Sequence, residues 1–226
     1  MCQEYWIVGR QGMKDLLLCA RLSKAQKPAN AKGALSHELS AILVAASRPT
    51  PQDVFLDPFA GSGSLVTARL ELPVRQVWCS DLNLGRHRRN YARHLTDNKR
   101  VRLLAEDALA LPSIIDGSVD VIVTDPPWGV HEDLGQPYEE FARAIGISFA
   151  RILHPRHGRY VLVVNRRNAA TTMSDGLAAA GLRPGDEHDV LVNGHRATVL
   201  MGQRPAGDPA RQPSATGVDE RASVGR

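Results

Sequence analysis

From Val54 onward, short runs of apolar and β-branched residues alternate with longer segments that repeat apolar residues at helical spacing. The apolar runs are continuous instead of alternating with polar residues, which is typical of strands buried on both faces of a parallel sheet. Five runs fit this description: residues 54–57, 76–81, 101–106, 119–124 and 160–164. The pattern predicts an α/β fold in which helices cover both faces of a mostly parallel sheet.

The intervening segments predict helices at residues 36–46, 64–70, 84–95, 138–153 and 169–180. Ser36 is placed to cap the first of these helices, and Gly181 to end the last. Two late β-rich runs, 189–192 and 197–201, flank Asn193-Gly194, a dipeptide typical of tight hairpin turns. We therefore expect a seven-stranded, mostly parallel sheet that closes with an antiparallel C-terminal hairpin.

The chain divides into three parts by composition. Residues 1–26 contain two apolar runs and are predicted to form an N-terminal hairpin extension. Residues 27–203 carry the strand and helix pattern and form the main domain. Residues 204–226 are rich in proline, glycine, serine and charge, so a disordered tail is predicted.

Composition limits the classes of protein to consider. Three cysteines without a CxxC spacing give no disulfide framework and no zinc cluster, so we expect no metal site. A net charge of +4 is compatible with a polyanionic partner. No apolar run is long enough to cross a bilayer and no signal peptide is evident, so we expect a cytoplasmic protein without a membrane partner.

A glycine turn joins the predicted strand 54–57 to the predicted helix 64–70. Such a turn is compatible with a plain corner, but glycines also let the backbone approach a ligand, and the following helix offers free N–H groups. The acid before the turn suits a positively charged ligand such as the sulfonium and ammonium groups of S-adenosylmethionine. A dinucleotide fits less well, because Val66 replaces the third glycine of that fingerprint and a carboxylate repels a pyrophosphate. The cofactor-binding residues predicted from this turn are Asp57, Pro58, Phe59, Ala60, Gly61 and Gly63.

Two further acids extend the predicted cofactor site. Asp81 follows the next strand, about 20 residues beyond the turn, at the spacing where an acid meets the hydroxyls of a ribose. Asp107 follows the third strand and is placed to accept a hydrogen bond from an adenine amino group. Asp81 could instead cap the helix that begins near Asn83, and Asp107 could simply face solvent. The predicted set includes the residue after each acid, Leu82 and Ala108.

The most specific motif, Thr124-Asp125-Pro126-Pro127-Trp128-Gly129, closes the fourth strand. Two prolines cannot continue a central strand, so they impose a stiff turn at the carboxyl edge of the sheet, where ligands of open α/β folds bind. The alternative interpretation is a structural turn whose prolines and aromatic residue only pack.

The motif also supplies what methylation of an exocyclic amino group requires. The lone pair of such a nitrogen is delocalised into the base, and hydrogen-bond acceptors for its N–H groups help the nitrogen to pyramidalise. The Asp125 carboxylate and the Pro126 carbonyl are such acceptors, and Pro127 restricts the geometry of that carbonyl. Trp128 offers a flat face on which a base can stack, and Gly129 leaves room for it. Residues Asp125, Pro126, Pro127 and Trp128 are therefore the predicted catalytic set.

The glycine turn and the Asp-Pro-Pro-Trp motif together resemble those of the Rossmann-type amino methyltransferases of nucleic acids. The resemblance is greatest to the THUMP-associated RNA guanine-N2 methyltransferases, and Lys32-Gly33-Ala34-Leu35-Ser36-His37-Glu38-Leu39 is similar to the segment that precedes their glycine turn. It extends over residues 27–204 and implies a class I methyltransferase domain, S-adenosylmethionine as cofactor and RNA, chiefly tRNA, as substrate. The THUMP domain that usually docks the RNA does not fit before residue 27, so we expect a partner protein to supply docking.

Two alternatives remain open at this point. Asp-Pro-Pro-Trp also serves adenine-N6 methylation of DNA or RNA. A catalytically idle nucleotide-binding subunit that assists a partner protein is a third possibility, although the intact Asp125 argues against it.

Overall fold

The computed structural model describes residues 4–9, 16–21, 34–87, 93–129, 134–165, 167–192 and 195–206. Its strands are β1 (Glu4–Gly9), β2 (Leu16–Arg21), β3 (Val54–Asp57), β4 (Gln76–Ser80), β5 (Val101–Leu104), β6 (Val121–Thr124), β7 (Arg159–Asn165), β8 (Arg183–Val192) and β9 (His195–Gln203). Its helices are α1 (His37–Ala46), α2 (Ser64–Leu70), α3 (Leu84–His87), α4 (Arg93–Thr96), α5 (Tyr138–Ile152) and α6 (Arg167–Ala179).

Seven of the strands form one sheet in the order β5-β4-β3-β6-β7-β9-β8, and β1 pairs with β2 in a separate antiparallel hairpin. The strands from β5 to β7 in this order are parallel to one another, whereas β9 is antiparallel to both β7 and β8. The predicted fold class, a mostly parallel sheet with an antiparallel C-terminal hairpin, is confirmed.

Several predicted boundaries differ from those observed. β8 begins at Arg183, six residues before the predicted start of the run 189–192. The predicted helix 84–95 is observed at its ends as α3 and α4, and residues 88–92 lie outside the described part of the chain. The same is true of the Asn193-Gly194 turn, although β8 and β9 pair up to Val192 and His195 on either side of it.

The helices cover the sheet on both faces, as the continuous apolar strands require. Leu43 of α1 and Leu65 of α2 pack with Phe55 on one face. Phe141 of α5 and Met173 of α6 pack with Leu56, the next residue of β3, on the other. The predicted cap of α1 is present, because the Ser36 hydroxyl accepts a hydrogen bond from the Leu39 N–H at 3.2 Å. None of the helices in the described ranges has the length and apolar character to span a bilayer.

A buried charge network closes the amino edge of the sheet. Asp53 accepts hydrogen bonds from the Arg159 guanidinium at 2.8 Å and from the Thr50 hydroxyl at 2.8 Å, and the fully buried Arg69 lies 3.4 Å away. Although burial opposes ionisation, the donors from Thr50 and Arg159 lower the pKa of Asp53 below its usual value. This network ties the starts of β3 and β7 to α2.

The chain beyond β9 begins with ordered residues. The backbone N–H of Arg204 donates to the Gly158 carbonyl at 2.7 Å, and its guanidinium donates to the Leu153 carbonyl at 2.6 Å. These contacts fix Arg204 to the domain. Residues 207–226, like residues 22–33, are outside the described ranges.

Candidate active site

The carboxyl ends of β3, β4 and β6 bring three acids to one edge of the sheet. Asp57 ends β3, Asp81 follows β4, and Asp125 follows β6. These strands are adjacent and parallel, so their ends meet at the same edge. Asp125 and Asp81 lie close enough that their charges act on Asp57. The structure thus assembles residues that are up to 68 positions apart in the sequence.

The glycine turn has the backbone conformation for which glycine is suited. Gly61 and Gly63 have φ angles of 47° and 81°, in the left-handed region, and Gly63 stands at the N-cap position of α2. The Ala60 N–H donates to the Ser80 carbonyl at 2.9 Å, which ties the turn to the end of β4. The Phe59 ring, 6.1 Å from that of Phe141, packs the other side of the turn against α5.

Asp81 holds the glycine turn directly. One of its carboxylate oxygens accepts from the Gly61 N–H at 2.9 Å, and the other accepts from the Asn83 N–H at 2.7 Å. The second bond shapes the turn that leads into α3, which begins at Leu84. The first bond places the carboxylate against the glycine turn at the same time.

Asp57 is buried, with 1% of its surface exposed. Its Oδ1 accepts hydrogen bonds from the Thr124 hydroxyl at 2.7 Å and from the Phe59 N–H at 3.2 Å. Burial, with smaller contributions from the nearby Asp125 and Asp81 charges, raises the pKa of Asp57 to about 7 against the opposing effect of the two donors. A cation beside this carboxylate would stabilise its ionised form.

The remaining predicted cofactor residues lie at the ends of β4 and β5. Leu82 is 70% exposed, so an apolar side chain is available to a flat ligand there. Asp107 is exposed, and its Oδ1 accepts from the Leu109 N–H at 2.9 Å. Ala108 is buried, and its carbonyl accepts from the Ser148 hydroxyl of α5 at 2.8 Å.

The loop after β6 is stiff and tightly placed. Pro126 is buried and Pro127 half-buried. Gly129 has a φ of 65°, and a Cβ at this position would lie 3.1 Å from Leu134. A side chain at residue 129 would therefore strain the backbone and crowd Leu134.

Trp128 contacts the acid of its own motif. Its indole N–H donates to Asp125 Oδ1 at 2.9 Å and lies 3.4 Å from the Val163 carbonyl. The ring is half-buried against the hydrophobic cluster on the α1 and α2 side of the sheet. The Asp125 carboxylate is thus fixed by a residue three positions away.

Two contributions to the site were not predicted. Thr124 joins β6 to Asp57, and its place as the first residue of the motif was the available signal in the sequence. Arg151 of α5 donates to the Ala110, Leu111 and Ile114 carbonyls at 2.8, 3.0 and 2.9 Å, and so holds the loop that follows Asp107. No local motif indicates this role, because Arg151 is about 40 residues from its acceptors.

The residues of this edge fit S-adenosylmethionine. Asp57 carries a carboxylate whose ionisation is opposed by burial and by two neighbouring acids, which is the setting that a sulfonium or ammonium group relieves. The glycine turn brings backbone beside that carboxylate. Leu82, which follows the neighbouring strand β4, offers exposed apolar surface.

Comparison with solved structures supports the same fold. TrmN from Thermus thermophilus superposes with a TM-score of 0.60 and 26% identity over 76% of this chain and 50% of TrmN, so the chain spans about half the length of that protein. A putative methyltransferase solved with the Haloferax volcanii activator Trm112 gives a TM-score of 0.60 at 16% identity, over 76% of this chain and 90% of the other. Geranyl diphosphate C-methyltransferase from Streptomyces coelicolor A3(2), solved with S-adenosyl-L-homocysteine, gives 0.54 at 16% identity, over 74% and 77% of the two chains.

The family model described as UPF0020, RMKL-like, methyltransferase domain matches residues 24–70 and 67–180, which together are more than half of the chain. No curated protein matches the sequence significantly. The family match confirms that the chain is a methyltransferase, and S-adenosylmethionine is the cofactor consistent with it. The chain belongs to the UPF0020 family of RMKL-like methyltransferase domains.

Proposed function

We propose that this methyltransferase modifies an exocyclic amino nitrogen of a nucleic-acid base, with guanine N2 in RNA, and tRNA in particular, as its substrate. The observation that carries the proposal is the position of Asp125. Its carboxylate follows β6 at the edge where the buried Asp57 ends β3, and the charges of the two acids interact. An acceptor for amino N–H groups thereby stands beside the proposed cofactor site.

S-adenosylmethionine supplies the methyl group, as a substituent of its sulfonium. The Asp125 carboxylate and the Pro126 carbonyl would accept the two amino N–H groups and orient the nitrogen lone pair for in-line attack. The N–CH₃ bond would form as the S–CH₃ bond breaks, the thioether would leave neutral, and the amino proton that is lost would pass to solvent. Pro127 keeps the Pro126 carbonyl in a narrow range of orientations. The Trp128 ring supports the base by stacking, and Gly129 leaves space for its approach.

The cofactor-binding roles are part of the same proposal. Asp57, with Pro58 to Gly63 of the glycine turn, surrounds the cationic methionine portion of the cofactor. Asp81 accepts hydrogen bonds from the ribose while it holds the Gly61 N–H. Leu82, Asp107 and Ala108 contact the adenine.

Family membership and the likeness to TrmN support RNA as the substrate over a small molecule. The structural neighbour that was solved with the activator Trm112 supports the proposal that a partner protein assists RNA docking. This predicts weak tRNA binding by the purified chain alone in filter-binding assays. Nanomolar binding by the chain alone would remove the need for a partner.

The proposal is tested with Asp125→Ala. We expect this variant to bind S-adenosylmethionine with wild-type affinity by calorimetry and to lose methyl transfer to tRNA. Asp175→Ala, at an exposed acid of α6, is the matched control and should retain activity. Wild-type turnover of Asp125→Ala would refute the catalytic role. N6-methyladenosine as the product would favour the adenine alternative, and binding without any transfer by the wild type would favour the idle subunit.

A further inference from the structure

We infer that Trp128 is a positioning residue for Asp125, in addition to any stacking on the base, and this inference rests on the proposed function. The indole N–H donates to Asp125 Oδ1 at 2.9 Å. A hydrogen bond to an ionised acceptor is about twice as strong as one between neutral groups. The bond therefore fixes the rotation of the carboxylate that is to receive the amino group.

Packing around the Trp128 ring keeps the indole in this orientation. Trp128 packs against the hydrophobic cluster formed by α1, α2 and the sheet, so the indole cannot rotate without losing apolar contacts. The Val163 carbonyl, 3.4 Å from the same nitrogen, adds a weaker acceptor from β7. The indole N–H thus lies between the Asp125 carboxylate and the Val163 carbonyl, and both acceptors favour the observed ring orientation.

Stacking and positioning require different parts of the same side chain. Stacking uses the face of the ring, which phenylalanine or a sulfur analogue of tryptophan also provides. Positioning uses the N–H, which both lack. A substitution that keeps the ring and removes the N–H should consequently lower kcat while the KM for RNA changes little.

Trp78 provides a matched control. Its indole N–H is buried and has no hydrogen-bond partner among the described residues, so loss of that N–H removes no bond of this kind. Replacement of each tryptophan in the full chain by 3-benzothienylalanine exchanges the N–H for sulfur and keeps the shape of the ring. This avoids the cavity that Trp128→Phe or Trp78→Phe would leave.

The experiment compares turnover and binding of the two analogue proteins on tRNA. We expect the analogue at residue 128 to lower kcat by about 10- to 100-fold, the size of a lost hydrogen bond to a charged group. The KM for tRNA and the affinity for S-adenosylmethionine should change less than about threefold, and the analogue at residue 78 should match wild type. A wild-type kcat for the protein with the analogue at residue 128, or a change in its KM alone, would overturn the inference.

A double-mutant cycle with Asp125→Asn shows whether Trp128 acts through Asp125. The neutral amide cannot form the charge-assisted bond, so the analogue at residue 128 should lower kcat by less than about threefold in this background. Equal losses in both backgrounds would overturn the inference and leave the proposed function intact. Wild-type turnover of Asp125→Ala would instead contradict the proposed function itself.

Discussion

The Thr124 hydroxyl donates to the buried Asp57 carboxylate over 2.7 Å, and so joins the strand that carries the Asp-Pro-Pro-Trp motif to the strand that carries the glycine turn. The two residues are 67 positions apart in the chain and meet because β3 and β6 are neighbours in the sheet. Their contact couples the predicted methyl-donor site to the predicted acceptor site. The strength of this hydrogen bond should depend on whether Asp57 is ionised.

Thr124→Val removes this hydroxyl at nearly constant shape. Above pH 7, where Asp57 is ionised, we expect the variant to lose about 1–3 kcal/mol in the free energy of unfolding, because a buried charge loses a donor. The same loss should raise the pKa of Asp57 above its present value of about 7. Urea unfolding at pH 8 measures the effect, with Thr124→Ser as the control that keeps the hydroxyl. Equal stability of the two variants at pH 8 would contradict it.

Asp57 should also make cofactor affinity depend on pH. Its pKa is raised from 3.8 when unfolded to about 7 when folded, so its contribution to stability is complete below pH 3.8 and is lost as the pH rises through 7. A cationic ligand favours the ionised form. Affinity for S-adenosylmethionine should therefore rise with pH, by at most about tenfold per pH unit below pH 7, and level off above it.

Calorimetry in buffers of different ionisation enthalpy tests this dependence. Below pH 7, binding should release up to one proton per site, and at pH 8.5 almost none. Asp57→Asn cannot ionise, so its affinity should be weaker and independent of pH in this range. Wild-type affinity that is flat between pH 5.5 and 7 would show that the cofactor does not lie beside Asp57.

Asp81 accepts a hydrogen bond from the glycine turn, whereas Asp107, among the described residues, accepts only from its own loop. Their alanine variants should therefore differ in stability. Asp81→Ala removes the acceptor of the Gly61 N–H, so we expect at least about tenfold weaker cofactor binding and a loss of about 1 kcal/mol in stability. Asp107 is exposed and its carboxylate accepts only the Leu109 N–H in the described contacts, so Asp107→Ala should weaken binding with a smaller loss of stability than Asp81→Ala. Isothermal titration and thermal unfolding of both variants distinguish the two. Equal effects on stability would contradict the structural role of Asp81.

Arg151 should stabilise the loop after Asp107 through its carbonyl contacts more than through its ion pair. Arg151→Met removes donors to the Ala110, Leu111 and Ile114 carbonyls and should lower stability by about 2 kcal/mol or more. Asp116, the partner in the ion pair, is 74% exposed, so Asp116→Ala should change stability by less than about 1 kcal/mol. A larger loss for Asp116→Ala than for Arg151→Met would reverse this assignment.

The sequence was sufficient for the parts of the fold that depend on local pattern. Buried parallel strands are apolar along their whole length, so β3, β4 and β6 were predicted near their observed positions. The early part of β8 was missed because Arg183 to Glu187 contains a proline, a glycine and charges. An edge strand tolerates these residues, since the backbone on its outer side needs no partner strand. The register of β8 against β9 shifts between Pro184 and Glu187.

The position of the candidate site was also predicted from local sequence pattern. Asp57, Asp81 and Asp125 each follow an apolar run, so their meeting at one edge follows from a parallel sheet. The bond from Thr124 to Asp57 and the Arg151 contacts join residues that are distant in the sequence, and only the packed structure brings them together. The roles of these residues with cofactor and substrate remain predictions.

Transfer of an isotopically labelled methyl group tests the central claim most directly. The purified chain is incubated with S-adenosylmethionine carrying a trideuterated methyl group and with bulk tRNA, rRNA or DNA in separate reactions, followed by nucleoside mass spectrometry. We predict trideuterated N2-methylguanosine in tRNA, and none with Asp125→Ala. Label on a carbon or a ribose oxygen, or equal transfer by Asp125→Ala, would contradict the account.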